Sequence, residues 1–505
     1  MLVLFTIILV LLLTWLGVRW QRVRRYWADL GVPYLPPHPV LGSLTFLQKQ
    51  NAGLWMRDLY GRVPTPYLGL WLFWRPALLV NSPEIARRIL VKDSAVFRDR
   101  FLSSGTKDPI GGRNIFTVND PTWSEMRRRL TVMFTASRLR HLQAFMTLKS
   151  KQLMQRIHND MENNGRVDVK LMYTDFSTDV IGTTSFGVDS DATITGQSAL
   201  RTVTKDFMKY SALRGIGWAC IFFFPEMVDV FGFSMFPKST VAYFRKVYHK
   251  IITQRGGYNG DTSENKDLID VLRKIKQDYE KEDKEIPEDT LIAQAAIFLQ
   301  GGFDTVASTL SFCTYELAFL PQLQEKLYNE VCEVKKRNGN KDLDPNSLNE
   351  LTLMQCVMKE TFRKYMSMGW LDRVAATDYK VDDKLTIPAG TPVYVNGLGL
   401  HYDPNIYPEP TQFNPDRFLP ENEKKIPPFT YIPFGEGPRM CIGRRFGEQT
   451  FLTALSHVII NYKILPTPNG KLAADIDIEK NGMFVSPGEK IYTMFKSRTA
   501  AFNSC

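Results

Sequence analysis

Cys441 is the residue with the most suggestive neighbours, in the run Phe434, Gly435, Glu436, Gly437, Pro438, Arg439, Met440, Cys441, Ile442, Gly443. Three glycines around one cysteine permit a tight turn and a close approach of backbone to something flat. Arg444 to Ile460 has helical periodicity, which places Cys441 at a helix N-terminus, where backbone N–H groups and the helix dipole favour thiolate over thiol. Such a thiolate is either a nucleophile or an iron ligand. A protease-like nucleophile needs a histidine base, and neither His401 nor His457 stands in a recognisable catalytic motif. An inert buried cysteine would explain neither the glycines nor Arg439.

Other pairs gain meaning from spacing. Trp123 and Arg127 are four apart on a helix expected over Thr122 to Phe134, so they share a face. Glu360 and Arg363, three apart on a helix expected over Asn349 to Tyr365, also share a face; alone, such a pair contributes about 0.2–0.5 kcal/mol. Glu288 to Leu320 reads as one helix of about 33 residues, roughly 50 Å, long enough to cross a domain. Gly301 and Gly302 interrupt it at about 1 kcal/mol each relative to alanine, which marks either close helix packing or a functional site.

These residues need a large body to hold them. The chain has 505 residues, 44% hydrophobic and 23% charged, with 32 Phe, 20 Tyr and 9 Trp, which excludes a small stapled scaffold and wholesale disorder. Its 6 cysteines (220, 313, 332, 356, 441 and 505) contain no CxxC pair, unlike a disulfide framework or zinc module. Net charge is +10, and no nucleic-acid module accompanies it, so the expected partners exclude nucleic acid. Leu2 to Val18 is an uncharged run of about 26 Å as a helix, followed by Arg19, Arg22, Arg24 and Arg25 with Trp15 and Trp20 at the boundary. This predicts a transmembrane anchor over 1–18 with the body cytosolic, the alternative being a cleaved signal peptide. Pro33, Pro36, Pro37 and Pro39 stiffen a basic linker over 19–40, and 41–505 reads as one domain without repeats. Further helices are expected over Ser82–Leu90, Leu142–Asn163, Val241–Thr253 and Gln322–Arg337, and strands over Tyr67–Leu70 and Ala77–Asn81. A hairpin is expected between Tyr379–Val381 and Thr391–Asn396. Lys266 to Glu285 reads as a solvated charged stretch, and the aromatic run Ile216 to Pro237 as core or a lipid-dipping surface.

Phe434, Gly437, Arg439, Cys441 and Gly443 match, position for position, the FxxGxRxCxG haem-binding signature, and on these residues the chain resembles the cytochrome P-450 superfamily. The resemblance runs from the anchor to about residue 495. It implies a mainly α fold with small β-sheets, in which a long central helix lies over haem b. Cys441 is then the axial thiolate ligand of the iron, Arg439, Arg373 and the Trp123–Arg127 pair hold the propionates, and Phe434 packs beside the sulfur. Thiolate ligation pushes electron density onto iron and favours O–O cleavage. Gly301 to Thr305 resembles the oxygen-binding motif, with Thr305 as the hydrogen-bonding alcohol and Asp304 as the proton relay. Arg417 completes a structural triad with Glu360 and Arg363. Phe116, Phe303, Leu371 and Phe484 are the implied pocket-lining side chains.

Gly369 to Arg373 and the chain length look most like insect microsomal detoxification-type members. The resemblance implies a monooxygenase of the endoplasmic-reticulum membrane that inserts one oxygen atom of O2 into lipophilic small molecules. Its electrons come from NADPH through a reductase, with cytochrome b5 as a second donor. Arg128, Arg129, Arg138, Arg140, Arg444 and Arg445 would form the docking face. Rival readings are a haem-thiolate isomerase or dehydratase without a reductase, and a non-catalytic membrane-anchored haem- or lipid-binding protein. The chain departs from its relatives after Arg363, where Lys364 to Met368 replaces a segment that commonly carries prolines.

Overall fold

The apolar run at the N-terminus and the arginines behind it form one continuous helix, α1 (Leu2–Asp29), in the computed structural model, which describes residues 1–262 and 267–498. Lys266 and Cys505 lie outside the described residues. The most apolar 18-residue window of α1 has a mean hydropathy of 2.4 and none of it is buried. Its far end is docked. Trp27 is fully buried, its Nε1 donates to the Leu70 carbonyl at 2.9 Å, and Trp71 Nε1 donates back to the Val23 carbonyl at 2.9 Å. Gly69 makes room for this, since a Cβ there would stand 2.4 Å from the Trp27 ring. The first half of the segment expected as linker is therefore helical, and the prolines follow it.

The strands that receive Trp27 are β1 (Tyr67–Leu72) and β2 (Arg75–Val80), an antiparallel pair with Tyr67 opposite Val80. They join β4 (Leu371–Val374) and β7 (Pro392–Val395) in a four-stranded sheet of order β1-β2-β7-β4. The expected hairpin is thus re-paired. Tyr379–Lys380 (β5) pairs with Thr386–Ile387 (β6), while β7 runs parallel to β2 and antiparallel to β4. Pro388 and Gly390 end the short ladder before β7 begins. A third sheet joins β3 (Val167–Asp168), β9 (Tyr492–Ser497) and β8 (Tyr462–Pro466) in that order.

The helical body contains α2 (Thr122–Leu130), α3 (Ala136–Asn164), α4 (Val169–Phe186), α5 (Ala212–Phe223), α6 (Glu226–Phe231), α7 (Leu268–Lys281), α8 (Glu288–Ala318), α9 (Pro321–Arg337), α10 (Thr352–Lys364) and α11 (Arg444–Asn461). One large apolar core unites α2, α3, α4, α8, α10 and α11, and a smaller one sits on the four-stranded sheet. α8 crosses the middle with most of its side chains buried. Its neighbour α4 is buried nearly all round, so it has no polar face to betray its helical period.

Two stretches differ from expectation. The charged segment after residue 266 forms the amphipathic α7, with Leu268, Ile269, Val271, Leu272 and Ile275 buried while its charges face outward. The aromatic run becomes α5 and α6, which divide it: Trp218, Phe222, Phe223 and Phe236 are core, whereas Leu213, Ile216, Val230 and Phe231 are exposed.

Candidate active site

The cysteine loop closes on itself before α11. The Cys441 N–H donates to the Phe434 carbonyl at 2.9 Å, and Gly435 and Gly437 take φ of 71° and 75°, the left-handed region open to glycine. A Cβ on Gly437 would stand 1.9 Å from the Leu90 carbonyl oxygen. The glycine requirement there comes from the protein's own backbone. Gly443, the N-cap of α11, is the one that borders open space, with the nearest atom to its Cβ direction 3.7 Å away on Phe134. Cys441 lies deep in the protein, yet its side chain is open to a cavity of about 320 Å³. Burial pushes its thiol up, against the pull of the Gly443 N–H and the Arg127 guanidinium. The helix terminus therefore does not by itself secure the thiolate, and a cation at the sulfur is what would deprotonate it.

α8 roofs this cavity, and its two glycines differ in role. Gly302 packs on α4, where a Cβ would meet Ile181 Cδ1 at 2.5 Å, whereas Gly301 faces open space. Thr305 borders the cavity and donates its hydroxyl to the Gly301 carbonyl at 2.7 Å. Asp304 also borders it but is ion-paired: Lys170 Nζ stands 3.0 Å from its Oδ1 and donates to Ser308 Oγ at 2.6 Å. Lys170 escapes sequence reading because it lies 134 residues from Asp304. Phe116, Leu371 and Phe484 line the cavity. Phe303 does not, which corrects the expectation: it is buried, and its carbonyl accepts from Ser177 Oγ of α4 at 2.8 Å. Two residues past Gly301 on a 3.6-residue helix, its side chain points about 200° away. In the segment after Arg363, Lys364 and Tyr365 both bond Glu316 of α8 at 2.6 Å, and Met366, Ser367 and Met368 border the cavity.

Arginines gather at the rim. Arg127 and Arg439 line the cavity, as does Trp123, whose ring lies 4.0 Å under the Arg439 guanidinium. Arg439 spends its donors on the carbonyls of Arg98 and Val118 and on Asn119, so what it offers the rim is mainly charge. Arg373 is buried and donates to the Asp372 carbonyl at 2.7 Å. Burial, with Arg100 beside them, pushes both Arg373 and Arg439 down to about 9. Arg100 is the member that sequence reading missed. It lines the cavity, pairs with Asp372 at 3.3 Å, and leaves its buried Nε without a hydrogen-bond partner. The carboxylates near these four arginines are Asp372 and Asp99, the latter 3.8 Å from Arg439. Excess buried positive charge of this kind calls for an anion on the cavity side.

Below the loop, Glu360 and Arg363 of α10 form a fully buried two-bond pair, Nε–Oε2 2.6 Å and Nη2–Oε1 2.9 Å. Arg417 Nε approaches Glu360 Oε1 at 3.5 Å. Arg363 also donates to the carbonyls of His401 and Pro410 at 2.7 and 2.8 Å. His401 is buried between the Arg363 carbonyl, 3.0 Å from Nδ1, and the Ile432 N–H, which donates to Nε2 at 2.9 Å, so the ring is neutral with its proton on Nδ1. Burial pushes its pKa down to about 3 from an ordinary 6.5. The unfolded chain therefore binds this proton first on acidification, and the stability contributed is complete above about pH 6.5 and lost toward pH 3. We expect denaturant midpoints to fall across that window, and His401→Gln to flatten the slope; an unchanged slope would refute the assignment.

A cysteine open to an interior cavity under a helix with an opened ceiling, with arginines at the rim that outnumber the carboxylates near them, fits an anionic ligand that carries a metal, and haem meets that description. The match of residues 32–495 to the cytochrome P450 family model covers nearly the whole body, and the chain belongs to that family, whose members bind haem through a cysteine thiolate. It is a cytochrome P450 monooxygenase. Among its relatives are cytochrome P450 6k1 of Blattella germanica, 32% identical over 92% of this chain and 91% of that protein, and probable cytochrome P450 6g2 of Drosophila melanogaster, 30% identical over 91% and 92%. Cytochrome P450 6A1 of Musca domestica is 31% identical, with 88% of each chain covered.

Proposed function

We propose that the protein oxidises lipophilic small molecules at the membrane of the endoplasmic reticulum with electrons from NADPH. The carrying observation is the cavity itself: Cys441 on its floor, Gly301 and Thr305 in its ceiling, and apolar walls between them. Haem, when bound, supplies the activation of O2. Cys441 would hold it through sulfur, with Phe434 alongside. Arg100, Arg127 and Arg439, which line the cavity, would neutralise its two carboxylates, with the buried Arg373 adding positive charge, and Trp123 stacks against Arg439 to fix that rim. Gly301 leaves room for a reacting carbon, and Phe116, Leu371 and Phe484 exclude water around it.

Proton supply falls to the α8 pair. The Thr305 hydroxyl can release the Gly301 carbonyl and turn to a water in the cavity, and Asp304, steadied by Lys170, passes protons at its carboxylate. Thr305→Ala is expected to uncouple turnover, with several-fold more hydrogen peroxide released per NADPH consumed; unchanged coupling would overturn the role.

The docking face is narrower than its arginine count suggests. Arg129 is tied to Glu125, Asp278 and Glu282, and Arg444 to Glu448. Arg128, Arg138, Arg140 and Arg445 carry no ion pair among the described residues and are the side chains proposed to meet an acidic reductase or cytochrome b5. The apolar residues left exposed on α5 and α6, together with α1, are proposed to contact lipid. The deciding experiment is reconstitution with reductase and NADPH under 18O2. One labelled oxygen atom per product is expected. Product formed without NADPH would favour the isomerase reading, and a ligand-induced spectral shift without product would favour a binding protein.

A further inference from the structure

The cavity wall holds one polar group that the chemistry above does not use. Gln300 stands on α8 immediately before Gly301, borders the cavity and is only 3% exposed. Its Nε2 reaches the Met208 sulfur at 3.5 Å, a weak acceptor, and its buried Oε1 has no hydrogen-bond partner. Its polar neighbours on the helix are already engaged, Asp304 by Lys170 and Thr305 by the Gly301 carbonyl. An unpaired amide oxygen in an apolar wall is costly, and a leucine of similar size would avoid the cost. The terminal torsion of a glutamine is soft, so the amide can turn its oxygen into the cavity without any movement of α8.

We propose that Gln300 is a specificity residue and that the enzyme selects lipophilic substrates carrying a hydrogen-bond donor, a hydroxyl or an N–H, which the Gln300 carbonyl oxygen accepts. This rests on the monooxygenase reading and adds a substrate class to it.

The test titrates the ferric holoenzyme with 1-decanol, decyl methyl ether and decane, reading the spin-state shift, for the native protein and for Gln300→Leu. A matched cycle removes the intrinsic difference in hydration between the probes. The native enzyme is expected to favour the alcohol over the ether by about tenfold relative to the variant, the usual size of one buried hydrogen bond. Equal preference in both proteins would overturn the proposal. Alcohol and ether binding equally well, and both better than decane, would overturn the donor class, because the amide would then be presenting its N–H. Gln300→Met serves as the second variant should leucine impair folding. The reduced carbon monoxide spectrum separates the two levels: its loss in the native protein would refute the monooxygenase reading, whereas its retention with no probe selectivity would refute only the role of Gln300.

Discussion

Cys441→Ser is expected to abolish the red-shifted Soret band of the reduced carbon monoxide complex and to reduce monooxygenase turnover to background. Serine presents a hydroxyl whose proton is far harder to remove than a thiol's, and an oxygen ligand does not donate electron density to iron as a thiolate does. No other described cysteine can substitute. Cys220, Cys313, Cys332 and Cys356 are buried outside the cavity lining, and burial pushes the thiols of Cys313 and Cys356 up to about 12 and 11. The fold itself should survive, because the Cys441 side chain fills no core space and the loop is closed by its backbone N–H. Thermal melting of the apoprotein should therefore be nearly unchanged while the spectrum is lost. A retained red-shifted band would remove Cys441 from the iron.

The second large effect is on folding. Arg363→Met leaves the Glu360 carboxylate buried without its two-bond partner and strips the donors from the His401 and Pro410 carbonyls. Breaking a buried ion pair from one side costs about 3–5 kcal/mol, against a total stability of about 5–15 kcal/mol for a folded protein. We expect little or no folded holoprotein from this variant, and a denaturant midpoint far below that of the native chain where any is recovered. Arg363→Lys should rescue only part, since an ammonium keeps the charge but cannot reproduce the forked geometry. Arg417→Lys should be milder than either, because Arg417 approaches Glu360 at 3.5 Å on one atom only. Native-like yield and midpoint for Arg363→Met would contradict the bracing role.

What the sequence made legible was local. The Phe434–Gly443 loop announces itself because positive-φ glycines and a helix start lie within ten residues, and Trp123 and Arg127 share a face by helical arithmetic alone. Long-range partners left no such trace. Lys170 meets Asp304 across 134 residues, and Arg100 reaches Asp372 across 272. The misplacement of Phe303 has a simple origin: the motif names neighbours along the chain, but consecutive helical residues point about 100° apart, and only the packing of α4 decides which direction is cavity. α4 leaves little trace because a helix buried nearly all round shows little amphipathic period, and α7 reads as a solvated stretch because its charge outweighs the narrow apolar stripe that it buries. The resemblance supplied roles for motif residues; it could not supply Gln300, whose interest lies in a hydrogen bond that is missing.

The docking of Trp27 against Gly69 has a mechanical consequence. α1 has no break between its exposed apolar run and the indole held over β1, so there is no hinge between anchor and body. In the membrane setting proposed above, the anchor acts as a rigid lever, and any tilt it adopts to match bilayer thickness rotates the whole catalytic body with it. Lipid composition would then set how deeply Val230 and Phe231 sit at the bilayer surface.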